Sequence, residues 1–232
     1  MCKSSNLHSF LTELPKCEHH LHLEGCLTPT LLFKLAAKNG ITLPKDDPSY
    51  ASPEALEKRY EHFDNLEDFL QCHYRAMAAL LGVHRTAHGG EEGDPTYISG
   101  ALDGLHAERI DHGIRLIEDK ALMSRVVAEG VLLTICPLSN VCLQVVQDVS
   151  QLPLREFIKS GVRFSLNSDD PAYFRGFVLN NYCAVQDAFN FSISEWQTIA
   201  ENSIHGSWVG KKRKSELMWE VDQCVQKYTN VP

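Results

Sequence analysis

The sequence predicts an α/β fold whose strands form a parallel sheet. Short runs of β-branched and apolar residues alternate with longer segments of helical periodicity over most of the 232 residues, as is typical of strand–helix–strand units. Residue types suited to metal or acid–base chemistry follow directly after several of these short runs. Because parallel strands share one carboxyl edge, such residues are expected to meet at one end of the sheet.

The N-terminal part contains one strand candidate followed by helices. The strand is expected at Cys17–Leu23. Thr28-Pro29 then supplies an N-cap and a proline at the first helical position, and Asn39-Gly40 ends the helix. A short helix is expected from Pro53 and a longer one from Asn65.

The second half of the chain predicts four further strands, separated and followed by helices. The strand candidates are Val83–Ala87, Ala107–Asp111, Val131–Cys136 and Val162–Leu166. The intervening helices are expected at Asp94–Leu105, Glu118–Glu129 and Pro153–Ser160, and the following ones around 177–189, 194–203 and 211–227. Five strand candidates fall short of the eight in a closed (β/α)8 barrel.

Composition excludes several classes of protein. The net charge of −8 argues against binding to a nucleic-acid backbone, and the one short basic run, Lys211–Lys214, begins a predicted helix. No apolar run reaches the ~20 residues that span a membrane. The eight cysteines form no C-x-x-C pair, which favours reduced thiols. We therefore expect a cytoplasmic protein with no nucleic-acid or membrane partner; nuclear entry and the oligomeric state stay open.

The first candidate metal ligands lie in EHHLHLEG. His20 and His22 are two residues apart, so on a strand their side chains point to the same face. Two imidazoles on one face suit Zn²⁺, although such a pair alone is more often an ordinary pair of surface or core histidines. His19 faces the other way and is expected to be structural.

Two further motifs end strand candidates with a histidine. In AHGGEEGDP, His88 ends a strand and small residues bring Glu91 close beside it, which suits metal-assisted hydrolysis with a general acid. In ERIDHG, His112 is followed by a glycine that allows a sharp turn. A polar, glycine-rich loop is the alternative interpretation of the first motif.

The last strand candidate runs directly into two carboxylates in VRFSLNSDDP. Asp169 and Asp170 repel each other unless a cation or hydrogen-bond donor engages them. A physically reasonable interpretation is that one carboxylate binds a metal and the other binds a substrate. The alternative interpretation is an acidic turn that caps the strand. Four separate strand ends carry such residues, so the joint pattern favours a site. Its predicted ligands are His20, His22, His88 and Asp169.

These motifs together resemble a known family. HLHLEG, HGGEEG, RIDHG, CPLSN and SLNSDDPAYF resemble, in the same order, the motif series of the adenosine/adenine deaminase family of metal-dependent hydrolases. LPKCEHHLHLEG and LTICPLSNVCLQVV are most similar to the adenine deaminase branch. The resemblance covers residues 11–75 and 84–228. The sequence has no C-x-x-C motif, which distinguishes it from the cytidine-type zinc deaminases.

The resemblance implies a (β/α)8 TIM barrel with one Zn²⁺ and a small purine substrate. It assigns the zinc to His20, His22, His88 and Asp169. Glu91 is then the proton donor to the purine ring, and His112 orients and deprotonates the attacking water. Asp170 hydrogen-bonds the base. The implied reaction is hydrolytic deamination of adenine to hypoxanthine in purine salvage, with adenosine as the alternative substrate.

The chain departs from the family in its middle. Family members carry three strand–helix units between the HLH and HxGE motifs, so about 100 residues, corresponding to strands two to four, are missing here. We therefore expect one incomplete barrel domain over residues 1–232, with an internal deletion near residues 75–83. A truncated, non-catalytic family member is the alternative.

Overall fold

A computed structural model describes residues 7–21, 28–39, 43, 47–63, 86–104 and 107–229. The predicted ligand His22 and the predicted helix from Asn65 lie outside these residues. So do residues 64–85, which include the predicted deletion near residues 75–83. The organisation of the second half of the chain is described almost completely.

The described residues form one four-stranded parallel sheet in the order β1-β2-β3-β4. Its strands begin and end within three residues of four predicted ones, and the prediction of a parallel sheet is confirmed. The strands are β1 (Thr86–Gly89), β2 (Arg109–His112), β3 (Leu132–Ile135) and β4 (Arg163–Leu166).

Helices precede, connect and follow the strands. The helices are α1 (His8–Glu13), α2 (Pro29–Asn39), α3 (Pro53–Tyr60), α4 (Thr96–Gly104), α5 (Lys120–Glu129), α6 (Pro137–Cys142), α7 (Leu154–Ser160), α8 (Val178–Phe189), α9 (Ile193–Gly206) and α10 (Lys211–Thr229). Short 3₁₀ turns lie at Pro48–Ala51, Ile114–Glu118 and Val149–Gln151. None of the described helices is long and apolar enough to cross a membrane.

Local sequence signals explain where these helices begin and end. Asp119 accepts hydrogen bonds from the first backbone amides of α5, and Gly130 ends that helix with a left-handed φ of 67°. Ser192 and Glu195 form a reciprocal capping box at the start of α9. Helices α1 and α6 were not predicted because each is only six residues long, too short to show helical periodicity.

The structure has no regular strand in residues 17–21, the described part of the first predicted strand. Within 17–21, only Leu21 makes a bridge, which is parallel and pairs with Asp169 beyond the end of β4. Side chains, in place of backbone groups, make further hydrogen bonds to this segment: Asn167 Oδ1 accepts from the His19 amide at 2.7 Å. The Ser168 amide donates to Glu18 at 2.8 Å. The segment therefore lies alongside β4 without forming a regular ladder.

The main core lies between the sheet and its helices. Ile110, Leu133 and Phe164 come from three adjacent strands and are fully or almost fully buried. They belong to the same cluster as Trp196, which stacks on Tyr182 at a centroid distance of 4.9 Å. This face of the sheet provides stability, which leaves the opposite face and the carboxyl edge for polar residues.

Substitution of Gly113, which directly follows β2, tests whether the backbone conformation at this edge of the sheet requires glycine. Its φ is +73°, and an added Cβ would lie 2.8 Å from a methyl group of Leu133. Gly113→Ala is expected to lower the free energy of unfolding by about 1–3 kcal/mol, measured by urea denaturation. The matched control is Gly100→Ala within α4, where an added Cβ meets nothing within 4 Å and a gain of about 0.5–1 kcal/mol is expected. Equal effects of the two substitutions would contradict the prediction.

Candidate metal and acid–base site

Three predicted histidines converge at the carboxyl edge of the sheet. The ring centroids of His20 and His112 are 4.8 Å apart, those of His20 and His88 4.9 Å, and those of His88 and His112 5.3 Å. His88 lies in β1 and His112 ends β2, whereas His20 comes from the segment beside β4. The structure thus brings together residues that are far apart in the sequence.

Asp169 completes the centre of this group. Its Oδ1 lies 3.3 Å from His20 Nε2, and its Oδ2 lies 3.8 Å from His112 Nε2. All three side chains are buried, whereas the side chain of His88 is 53% exposed. Such nitrogen and carboxylate ligands suit a divalent ion such as zinc.

Among the described residues, the potential ligand atoms fall into two overlapping groups that share His20. One group contains His20, His112, Cys136 and Asp169, and the other contains His20, His88 and Asp111; within each group the atoms lie within 4.8 Å of one another. These residues fit a metal ion chemically. Cys136 and Asp111 were not among the predicted ligands, and the predicted set with His22 stays a prediction.

Backbone strain marks two of the site residues. His112 and Asp169 have left-handed φ values of 63° and 60°, a conformation that costs a residue with a side chain about 1–3 kcal/mol. Strand alternation alone would place His112 on the face of Ile110, away from Asp111. The change in φ at His112 turns its ring toward the site instead. Such strain is common where a side chain must be aimed at a ligand.

Glu91 lies beside His112 and is suited to donate a proton. Its Oε1 is 3.3 Å from His112 Nδ1, and its side chain is 14% exposed. Burial, aided by the charge of Asp169, raises the pKa of Glu91 to about 8. The carboxyl group is therefore mainly protonated at neutral pH, as a general acid requires.

His112 has the opposite perturbation. Burial is the main cause that lowers the pKa of His112 to about 3, and the positive charge of His20 acts in the same direction. The imidazole is therefore neutral at neutral pH and can accept a proton. Glu91 and His112 form an acid and a base side by side.

The helix α6 supplies two site residues that the sequence reasoning did not assign. Ser139 Oγ donates to Asp169 Oδ2 at 2.7 Å, and Asn140 Nδ2 donates to Glu91 Oε1 at 2.9 Å. Both belong to the CPLSN motif, which follows β3 directly. The rule that strand ends carry the chemistry, applied to the strand ending at Cys136, would have found them.

Asp170 is buried at the start of the turn that follows Asp169. Its backbone oxygen accepts hydrogen bonds from the amides of Tyr173 and Phe174 at 2.9 and 3.0 Å. The turn thereby holds the Asp170 backbone next to the candidate metal ligand Asp169. The role of its side chain in binding the base stays a prediction.

In the described part of the chain, two grooves each border one residue of the site. A groove of about 450 Å³ is lined by Glu91, Arg115 and Gln144 among others, and a second of about 380 Å³ is lined by His88 and Tyr97 among others. Volumes of this order are typical of small-molecule sites. Glu91 and His88 are therefore reachable by a small ligand.

The hydrogen bond from Asn140 provides a test of the electrostatics at Glu91. It stabilises the ionised carboxylate, so Asn140→Ala is expected to raise the pKa of Glu91 above the value of about 8. The measurement is a ¹³C NMR titration of the side-chain carboxyl group, assigned with Glu91→Gln. Gln197→Ala is the control, because it removes an amide donor from Glu201 instead. A fall in the pKa of Glu91 in Asn140→Ala would contradict the assignment.

Comparison with known proteins matches this chain to one family. The adenosine deaminase family model matches residues 15–81 and 66–224. An adenine deaminase of Aspergillus fumigatus is 39% identical over 355 residues, covering 100% of both chains. One of Schizosaccharomyces pombe is 36% identical over 345 residues, covering 96% of this chain and 94% of the other.

Solved structures agree with this relationship. The adenine deaminase of Arthrobacter aurescens has a TM-score of 0.82 at 30% identity, covering 92% of this chain and 99% of the other. A zinc-bound amidohydrolase of Burkholderia ambifaria has a TM-score of 0.71 at 17% identity, covering 97% and 95%, and shows the shared fold alone. The predicted α/β barrel-type fold is confirmed. On the sequence matches and this structural likeness, the chain belongs to the adenosine deaminase family.

Proposed function

We propose that this chain is a zinc-dependent hydrolase that converts adenine and water to hypoxanthine and ammonia, as in purine salvage. The observation that carries the proposal is the acid–base pair at the carboxyl edge: Glu91 lies 3.3 Å from His112, beside Asp169 and His20. Full-length relatives named adenine deaminase support adenine as the substrate. The cytoplasmic location stays a prediction.

Zinc is the metal we propose, held by His20, His22, His88 and Asp169. The support is the chemistry of the described ligands, which are imidazole nitrogens and a carboxylate at the end of a parallel sheet. A bound zinc ion supplies the Lewis acidity that lowers the pKa of water toward neutrality. Ser139 assists by holding the Asp169 carboxylate through a hydrogen bond of 2.7 Å.

The chain's own residues then divide the proton transfers. The neutral imidazole of His112 orients the attacking water and takes a proton from it. The protonated carboxyl of Glu91 donates to a ring nitrogen of the purine, which makes the neighbouring carbon more electrophilic. Asp170 binds the base by a hydrogen bond. This arrangement needs Glu91 protonated and His112 neutral at the same pH, which the raised and lowered pKa values allow.

We infer that residues 1–232 form one barrel domain with an internal deletion near residues 75–83. The alignments with fungal relatives extend over 355 and 345 residues, whereas the chain has 232. In the described part of the chain, β1 pairs with β2 alone, so this edge is where further strands would join. That observation favours a second candidate, a truncated family member without activity.

Thermal unfolding followed by circular dichroism separates the two candidates. A cooperative transition together with adenine turnover supports the enzyme. A cooperative transition without turnover, or no transition, supports the inactive form. Rates on adenine and adenosine, measured side by side, decide between the free base and the nucleoside.

Removal of the metal tests the proposed chemistry. We expect loss of adenine absorbance with release of ammonia, abolished by a chelator and restored by Zn²⁺. The reason is that the proposed mechanism relies on the zinc ion to lower the pKa of the attacking water. A chelator-treated, demonstrably metal-free protein that keeps its full rate would refute the zinc mechanism.

Replacement of Glu91 tests the general acid. Glu91→Gln keeps the size of the side chain but removes its acidic proton, so kcat is expected to fall about 10²–10⁴-fold with zinc content unchanged. In the wild type, the rate is expected to fall as the pH rises through the pKa of Glu91 near 8, because the carboxyl loses its proton. Glu92→Gln, on the exposed neighbour, is the control. A near-normal rate in Glu91→Gln excludes this role.

A further inference from the structure

A chain of buried hydrogen bonds lies behind His20, on the side away from Asp169. His20 Nδ1 is 3.2 Å from Thr134 Oγ1, and Thr134 Oγ1 donates to Asp111 Oδ1 at 2.6 Å. Thr86 Oγ1 donates to Asp111 Oδ2, also at 2.6 Å. His20, Thr134 and Asp111 are all buried. The opposite ring nitrogen of His20, Nε2, lies 3.3 Å from Asp169 Oδ1.

The register of the sheet brings these residues together. Within the parallel ladders, His88 on β1 pairs with Asp111 on β2, and Asp111 pairs with Thr134 on β3. Side chains at paired positions of adjacent strands point to the same face. Asp111 therefore lies between the strand that carries His88 and the strand that carries Thr134, opposite the apolar face of the core.

The hydrogen atoms in this series of hydrogen bonds can be assigned by counting donors and acceptors. An ionised carboxylate can only accept, and Asp111 accepts one hydroxyl hydrogen on each of its oxygens. Thr134 has a single hydroxyl hydrogen, which points to Asp111. Toward His20, the Thr134 oxygen can therefore only accept, so the hydrogen in that contact belongs to His20 Nδ1.

Cys136 supports the same assignment. Its thiol donates to the backbone oxygen of Thr134 at 3.6 Å, while its sulfur lies 3.5 Å from His20 Nδ1. The sulfur can then only act as the acceptor toward His20. Two acceptors, Thr134 Oγ1 and Cys136 Sγ, thus face the same nitrogen of the ring.

When a metal binds, the ring of His20 is neutral, and a hydrogen on Nδ1 then leaves its lone pair on Nε2. Nε2 lies 3.3 Å from Asp169 Oδ1, so this lone pair and the Asp169 carboxylate can bind one cation between them. The protein thus holds His20 in the form that binds a metal on the side of Asp169.

Asp111 itself is poorly placed to be the metal ligand. Its oxygens lie 3.7 Å from His20 Nδ1 and 3.8 Å from His88 Nδ1, and each oxygen already accepts a short hydroxyl bond. Binding a metal on this side would also require His20 Nδ1 to lose the hydrogen that Thr134 and Cys136 accept. The alternative group of His20, His88 and Asp111 is therefore less favourable than the one around Asp169.

We propose that Thr134 and Asp111 are positioning residues that set the tautomer of His20, so that Nε2 binds the metal. The proposal rests on the metal site of the proposed function. It assigns to two buried residues a role that neither the motifs nor the acid–base pair requires. Outer partners of this kind commonly change metal affinity about 10–100-fold.

The tautomer can be observed directly in the wild-type protein. Long-range ¹H–¹⁵N correlation spectra of the zinc-loaded chain, assigned with His20→Gln, are expected to show hydrogen on Nδ1 of His20. The Nε2 resonance is expected to move on addition of Zn²⁺. Hydrogen on Nε2, with Nδ1 responding to the metal, would overturn the proposal without any need for a positioning variant.

Zinc affinity gives the second readout, by competition with a chromophoric chelator. Thr134→Val keeps the shape but removes the hydroxyl, and the zinc dissociation constant is expected to rise about 10–100-fold. Thr134→Ser keeps the hydroxyl and is expected to bind like the wild type. The melting temperature of each metal-free variant serves as the folding control.

The outcomes separate this proposal from the proposed function. If the wild type binds no zinc, the metal site itself is refuted. If the wild type binds zinc and Thr134→Val binds it equally well, only the positioning role is refuted. If Thr134→Val does not fold, the NMR result on the wild type still decides the tautomer, since hydrogen on Nε2 refutes the proposal and hydrogen on Nδ1 supports it.

Discussion

The site depends on one backbone contact between the N-terminal segment and the residues that follow β4. The Asp169 amide donates to the His20 backbone oxygen at 3.1 Å, and Leu21 bridges to Asp169. This pairing places the N-terminal segment beside β4, and it brings His20 within 3.3 Å of the Asp169 carboxylate. Without it, the ligands would remain on separate parts of the sheet. Loss of this contact is therefore expected to separate His20 from Asp169.

Burial controls the chemistry of the site once this contact has formed. In a medium of low polarity, charged groups are costly unless they are paired or hydrogen-bonded. Glu91 therefore keeps its proton and His112 loses its own, as their shifted pKa values show. For Asp111, burial raises the pKa, but His20 and the hydroxyl groups of Thr134 and Thr86 outweigh it and lower the pKa overall. The positive charge of His20, together with the two hydroxyl donors, thus keeps the Asp111 carboxyl group ionised.

The sheet has two faces with separate tasks. Ile110, Leu133 and Phe164 pack against the helices on one face, and their apolar runs made the strands recognisable in the sequence. The opposite face carries hydrogen-bonding residues that lie in register across three strands, including Asp111 and Thr134. The apolar face stabilises the sheet, and the polar face has to be satisfied by its own hydrogen bonds.

The sequence by itself determined the four described strands and most of the helices, because apolar periodicity, capping residues and glycine stops are local signals. It also determined the motifs at the strand ends, which carry His88, Glu91, His112 and Asp169. Only the tertiary structure decided that the segment around His20 lies beside β4 through side-chain bonds, and that Asn140 reaches Glu91. It also decided that Asp111 lies between His88 and Thr134. Strand register and left-handed turns such as that at His112 arise from packing between distant segments, so no local pattern encodes them.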